Sequence, residues 1–250
     1  MQAEIIQQLL DINYQFYQTF GGAFAATRRR VQPGILQVLE KIGLDGGWLD
    51  LGCGSGALAN LWIEQGRTGC YHGLDFSVVL LEAHFYVAGV EKPPTLEVEF
   101  FEGDLLAQDW VTTLPRDQYD GVLCFAAMHH IPGYQTRLKL VKAARSLLPL
   151  GGLFIHSNWQ FQKSTRLLAR VQDWSQVGLN PEQLEEGDTL LDWRYALPGQ
   201  QEQIGYRYVH RFSDQEFEKL AQEGGFQINE VFHSDGVGGQ LGYYQIWQAI

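Results

Sequence analysis

The sequence predicts an α/β fold: a mostly parallel sheet with helices on both faces. Three observations predict it. Short apolar runs alternate with helix-patterned stretches from residue 47 to residue 157, the texture of consecutive strand–helix–strand units. One run, Trp48-Leu49-Asp50-Leu51, ends in a glycine-rich turn, Gly52-Cys53-Gly54-Ser55-Gly56, that opens a helix. Three acids, Asp50, Asp75 and Asp104, stand at the ends of three successive expected strands.

Each element follows from its local pattern. Residues 2–19 carry Ile5, Ile6, Leu9, Leu10, Ile12 and Phe16 at helical spacing, a lead-in helix that Gly21-Gly22 is expected to break. A second helix from Pro33 to Ile42 would bury Ile35, Leu36 and Leu39. The first strand, Trp48–Leu51, precedes a helix over Ala57–Gln65. Cys70–Leu74 is the second strand and Val78–Ala88 the helix after it. Leu96–Phe101 and Tyr119–Phe125 are the third and fourth strands. A helix over Gln135–Leu148 leads to the fifth, Gly152–Ser157. Residues 158–205 lose the alternation and read as an insertion, too short for a core of their own. The pattern then resumes with a helix, Ser213–Glu223, and two strands, Phe226–Phe232 and Leu241–Ala249. Gly236, Gly238 and Gly239 suit the turn between these strands, which would pair antiparallel. The whole reads as one domain: N-terminal helices (1–45), a cofactor-binding core (46–157), an insertion serving as substrate lid (158–212) and a C-terminal helix and strand pair (213–250).

Composition bounds the partners. With 45% apolar and 19% charged residues the chain is globular. Its net charge of −11 lacks the pull that nucleic-acid binders exert on a polyanion. Cys53, Cys70 and Cys124 fit no metal motif and no disulfide framework, so they read as reduced thiols of a cytoplasmic protein, and no metal is expected. The N-terminus has no basic stretch followed by an apolar run, and no apolar stretch is long enough to span a membrane.

The glycine turn lets a ligand approach bare backbone at the crevice of an open α/β sheet. Gly52, Gly54 and Ala57 loosely satisfy a dinucleotide pattern. Asp50 argues against that ligand, because a pyrophosphate gains nothing from a neighbouring carboxylate. S-adenosylmethionine carries an ammonium and a sulfonium, and an acid suits both. Asp75 is placed to accept from ribose hydroxyls, and Asp104 from an adenine amino group. Any one of these acids is as readily a helix cap or turn residue. All three at matching strand ends beside the glycines are not.

Leu49–Gly56, Gly73–Ser77, Glu102–Leu105, Tyr119–Cys124 and Leu147–Ile155 together resemble the successive motifs of class I S-adenosylmethionine-dependent methyltransferases, in order and spacing, over residues 30–157. The resemblance implies a Rossmann-like sheet of seven strands with the last antiparallel, Asp75 on the ribose and Asp104 on the adenine. It marks Asp50, Gly52, Cys53, Gly54, Gly56, Asp75, Phe76, Ser77, Gly103, Asp104, Leu105, Phe125 and Ala126 as cofactor-binding residues, with Phe125 against the methionine or adenine moiety.

Shorter stretches resemble a narrower group, the methyltransferases that complete a carboxymethyl ester on the wobble uridine of tRNA. They are Phe16–Phe20, Thr27-Arg28-Arg29, Ala126–His130 and Tyr206–Phe212. This implies an RNA acceptor, from which the acidic balance departs. A carboxylate acceptor is ionised already and needs only orienting groups, such as Arg28, Arg29, Tyr206, Arg207, Tyr208 and His210. An alcohol acceptor wants a base, and His129 or His130 would serve. The expected catalytic residues are accordingly His129, Tyr208, Arg28 and His210. Trp159, Trp174 and Trp193 either close the lid or fasten the insertion. The leading function is methyl transfer to oxygen, on a small molecule or a tRNA-type uridine, with the small acceptor favoured by the charge. The alternatives are a non-catalytic cofactor-binding subunit of a protein partner and an NAD-dependent oxidoreductase.

Overall fold

A computed structural model describes residues 1–26, 30–82, 92–196 and 201–250. Its principal sheet holds β1 (Gly47–Leu51), β2 (Gly69–Asp75), β3 (Leu96–Glu102), β4 (Gly121–Phe125), β5 (Leu153–Trp159), β9 (Phe226–Ser234) and β10 (Gly242–Ala249). The strand order is β3-β2-β1-β4-β5-β10-β9. The first five strands run parallel, and β10 lies antiparallel to both neighbours. The expected seven strands and reversed last strand are therefore present.

Burial explains why the strands read as apolar runs. All five residues of β1 are buried, since both faces of a parallel sheet are covered. On one face Leu49, Leu51, Cys124, Phe154 and Trp247 pack against α5 (Tyr134–Ser146) and α7 (Asp214–Gly224) through Leu138, Val141, Phe217 and Leu220. On the other, Trp48, Tyr71, Leu123 and Ile155 meet Val38 of α2 (Pro33–Leu39) and Leu58 and Trp62 of α3 (Ala57–Glu64). The chain winds outward from β1 in one direction and from β4 in the other. The crevice at a topological switch point therefore opens at the carboxyl ends of these two strands.

Three expected elements differ in the structure, and one more falls partly outside the described residues. First, α1 runs from Ala3 to Ala26, straight through Gly21-Gly22. Two glycines cost a helix interior only about 1 kcal/mol each. Gly21 meets α4 (Val78–Glu82) there; an added Cβ would lie 3.2 Å from Val79 Cγ1. Second, α2 ends at Leu39 and buries Gly34, Val38 and Leu39, leaving Leu36 exposed. Third, the expected extension of α4 to Ala88 lies outside the described residues.

Fourth, the insertion is ordered. After α6 (Thr165–Leu168), β6 (Val171–Gln172), β7 (Asp188–Tyr195) and β8 (Gln203–His210) form a three-stranded antiparallel sheet. Its alternation is hidden because both faces are covered. Leu190 and Tyr208 pack on Ile5 and Leu9 of α1, while Leu191 and Val209 pack on Phe161. Asn13 fastens α1 to β8 by receiving the Tyr208 N–H at 2.9 Å and donating to the Tyr208 carbonyl at 3.1 Å. This layer of helix on sheet roofs the crevice.

Candidate active site

A cavity of about 930 Å³ lies between the strand ends and the roof. Its floor is Asp50, Gly52, Cys53 and Gly54 after β1, Asp75 and Phe76 after β2, and Glu102 to Ala107 after β3. Phe125, Ala126, Ala127, His130 and Ile131 come from the turn after β4, and Trp159 from the end of β5. The roof is one face of α1: Ile6, Gln7, Leu10, Asn13, Tyr14 and Tyr17.

The loop's shape requires glycine. Gly52 has φ +75°, and a Cβ there would stand 2.6 Å from the Ala127 Cβ. The loop is held by the acid of the next strand. Asp75 Oδ2 accepts the Gly54 N–H at 2.9 Å and Oδ1 accepts the Ser77 N–H at 2.9 Å. Asp104 accepts the Leu106 N–H at 2.9 Å, which orients its carboxylate at the rim.

The floor is electrostatically unusual. Burial lifts Asp50 from 3.8 to about 7, against the hydrogen bond donated by Tyr71, and Asp75 adds to the rise. Burial also raises Asp75, although the Ser77 and Gly54 amides oppose it. Burial and both acids push Cys53 up, so it stays a thiol. A desolvated pair of carboxylates favours a positively charged ligand.

Of the expected cofactor-binding residues, Asp50, Gly52, Cys53, Gly54, Asp75, Phe76, Gly103, Asp104, Leu105, Phe125 and Ala126 line this cavity. Gly56 instead starts α3 at φ +70°, and Ser77 is fully buried, its hydroxyl accepting the Leu80 N–H. Neither lines the cavity.

Three of the expected catalytic residues, His129, Tyr208 and His210, lie outside the cavity lining. His129 is buried behind the wall, its ring 5.0 Å from that of Trp159, and burial holds its pKa well below 6.5. Tyr208 and His210 are buried in the roof, donating to or sharing a proton with Asp188 at 2.8 and 2.7 Å. A contact between these three and an acceptor in the cavity is thus not built into the fold. Arg28 and Arg29 lie outside the described residues.

His130 takes the inward position. Its Nδ1 donates to the Tyr208 carbonyl at 2.9 Å, which leaves the Nε2 lone pair for the Tyr17 hydroxyl at 3.2 Å. Burial lowers His130 to about 4, against that Tyr208 bond, so the ring is neutral. Sequence reasoning favoured His129 over His130, whereas His130 lines the cavity, and it missed Asn13, Tyr14 and Tyr17. Their signal was the 3–4 residue spacing from Ile6 through Leu10 to Tyr17, which gives one helix face.

An open α/β sheet with a glycine loop and gathered acids at its switch point is the architecture of a nucleoside-cofactor enzyme. The methyltransferase domain family matches residues 24–231, and the chain belongs to it. No curated protein matches the sequence. Among solved structures, an S-adenosylmethionine-dependent methyltransferase from Clostridium acetobutylicum is similar at TM-score 0.62 and 15% identity, covering 98% of this chain and 92% of that one. One from Methanosarcina mazei has TM-score 0.62 and 19% identity, covering 88% and 98%. Magnesium protoporphyrin IX methyltransferase from Synechocystis, with bound cofactor, has TM-score 0.55 and 15% identity, covering 94% of each. These likenesses are likenesses of fold. No helix among the described residues is long and apolar enough to cross a membrane.

Proposed function

We propose that this methyltransferase uses S-adenosylmethionine and transfers the methyl group to an oxygen of a small acceptor enclosed beneath α1. One observation carries the reading: carboxylates from three successive strand ends converge with the glycine loop on one roofed cavity. Asp50 would face the ammonium, Asp75 the ribose hydroxyls and Asp104 the adenine amino group. When bound, the cofactor supplies an electrophilic methyl on a sulfonium.

The chain supplies position and dryness. The Gly54 and Ser77 amides fix Asp75 in advance. Leu10, Ile131 and Trp159 exclude water from the acceptor half. His130 holds a neutral imidazole against Tyr17, so a proton leaving an acceptor hydroxyl can pass to the phenol oxygen while the phenol proton moves to Nε2. Volume favours this reading: about 930 Å³ is at the upper end for small-molecule sites. So does the net charge of −11.

The test is incubation with radiolabelled S-adenosylmethionine and fractionated cell extract. Label entering the small-molecule fraction is the expected result. Label entering tRNA would replace the enclosed acceptor with a polynucleotide. Tight cofactor binding with no label anywhere would make the chain a binding subunit.

A further inference from the structure

At the amino ends of β2 and β3, away from the crevice at their carboxyl ends, these two strands bring together three side chains of metal-ligating chemistry. Cys70 and His72 are two apart on β2 and share a face. Glu97 on β3 is the register partner of Cys70. Ligand atoms of all three lie within 4.8 Å of one another. Cys70 and His72 are 1% and 0% exposed, while Glu97 is half exposed and opens the group to solvent.

One ring nitrogen of the histidine is aimed into the cluster. His72 Nε2 is buried and makes no hydrogen bond. It stands 3.7 Å from Glu97 Oε2, too far for hydrogen bonding. Two ligands on one tetrahedral zinc, each at about 2.1 Å, stand roughly 3.4 Å apart. The other ring nitrogen, Nδ1, is 2.9 Å from the Tyr119 hydroxyl. With that nitrogen donating, the Nε2 lone pair faces the cluster, as in metal-binding histidines whose second nitrogen is held by an outer group.

We propose that Cys70, His72 and Glu97 form a zinc site, with water as the fourth ligand. Sulfur, imidazole nitrogen and one carboxylate oxygen make a borderline-soft set that suits Zn²⁺. Binding displaces the Cys70 thiol proton to solvent, and the sulfur bonds the ion as thiolate. The exposed Arg116 guanidinium lies beside Cys70, where its charge competes with a cation. A second group, Glu185, Asp188 and His210, differs in kind. Its atoms are already bonded to Arg137, Tyr208 and Glu216.

The test is titration of the full chain, stripped with chelator, with Zn²⁺ by calorimetry and with Co²⁺ by absorption. One equivalent of each is expected to bind, with a thiolate-to-cobalt charge-transfer band. C70S should abolish the band. E97Q, on an exposed residue that leaves the core intact, should weaken zinc binding at least about tenfold, and Y119F by about 10–100-fold through loss of the outer hydrogen bond. R116A should bind zinc more tightly, because a competing cation is gone. Cofactor binding should be unchanged throughout. Absence of stoichiometric zinc binding, or equal zinc affinity in the parent, C70S and E97Q, would overturn the proposal.

Discussion

Asp50 is ionised at a cost that a cationic ligand would remove. Its folded pKa is about 7 and its ordinary value 3.8. Between those values the folded chain keeps a proton that the unfolded chain has lost, so stability without ligand falls as pH rises through that window. A bound ammonium reverses the preference by favouring the carboxylate. Affinity for S-adenosylmethionine should therefore rise with pH and level off above about 7, and D50N should bind more weakly with that dependence gone. Calorimetric titration across pH 5–9 reads both. His130 behaves oppositely. At about 4 it is neutral over the working range, so the rate at saturating cofactor should show no histidine limb near pH 6.5. H130A should lower kcat by about 10²–10⁴-fold, the span of general base catalysis, while the cofactor Kd stays level. Equal kcat in H130A and the parent would point to an acceptor that needs no base.

What the chain reveals of its elements depends on how each is covered. β1, β2 and β4 are legible because burial on both faces makes continuous apolar runs, and the loop between β1 and α3 because φ +75° at Gly52 demands glycine. G52A combines left-handed strain of about 1–2 kcal/mol with a Cβ 2.6 Å from that of Ala127. It should abolish the cofactor-induced rise in melting temperature more completely than it lowers the melting temperature itself. The roof was illegible for a physical reason. Leu190 and Leu191 of β7 point to opposite covered faces, so no period of two survives. Gly21-Gly22 imitates a helix end where Gly21 serves close approach to α4. The acids of the site could be read because strand ends fix their direction. The sequence favoured His129 where the structure turns His130 toward the cavity, because the two share one short 3₁₀ turn, Met128–His130, and the rotation of that turn is set by packing. Cys70, His72 and Glu97 escaped because their proximity comes from pairing between β2 and β3, not from spacing along the chain.

The roof is bound to the rest of the molecule by charge as well as packing. Arg137 on α5, 1% exposed, donates to Glu185 before β7 at 2.6 Å and to Glu216 on α7 at 3.0 Å. His210 on β8 joins Asp188 at 2.7 Å and Glu216 at 2.9 Å. Hydrogen bonds to Asp188 and Glu216 outweigh burial and raise His210 above 6.5. His210 and Arg137, against burial, hold Glu216 below 4.5. The raised His210 stabilises fully below 6.5, and that stabilisation is lost as pH climbs through its higher folded value. The depressed Glu216 stabilises above 4.5 and is lost as pH falls through its lower folded value. The network is therefore strongest between about 4.5 and 6.5. R137M leaves the part-buried Glu185 without its cation and Glu216 with His210 alone, a loss of about 3 kcal/mol, the low end for breaking a buried pair. At roughly 2–4 °C per kcal/mol for a chain of this size, calorimetry should show melting lowered by about 10 °C. The crevice floor rests on the principal sheet, and none of these charges lines it. Cofactor at a hundredfold excess over Kd should then add the same increment, about 2.7 kcal/mol, to R137M as to the parent. A smaller increment in R137M would mean that the roof, held by this one arginine, also shapes the floor beneath it.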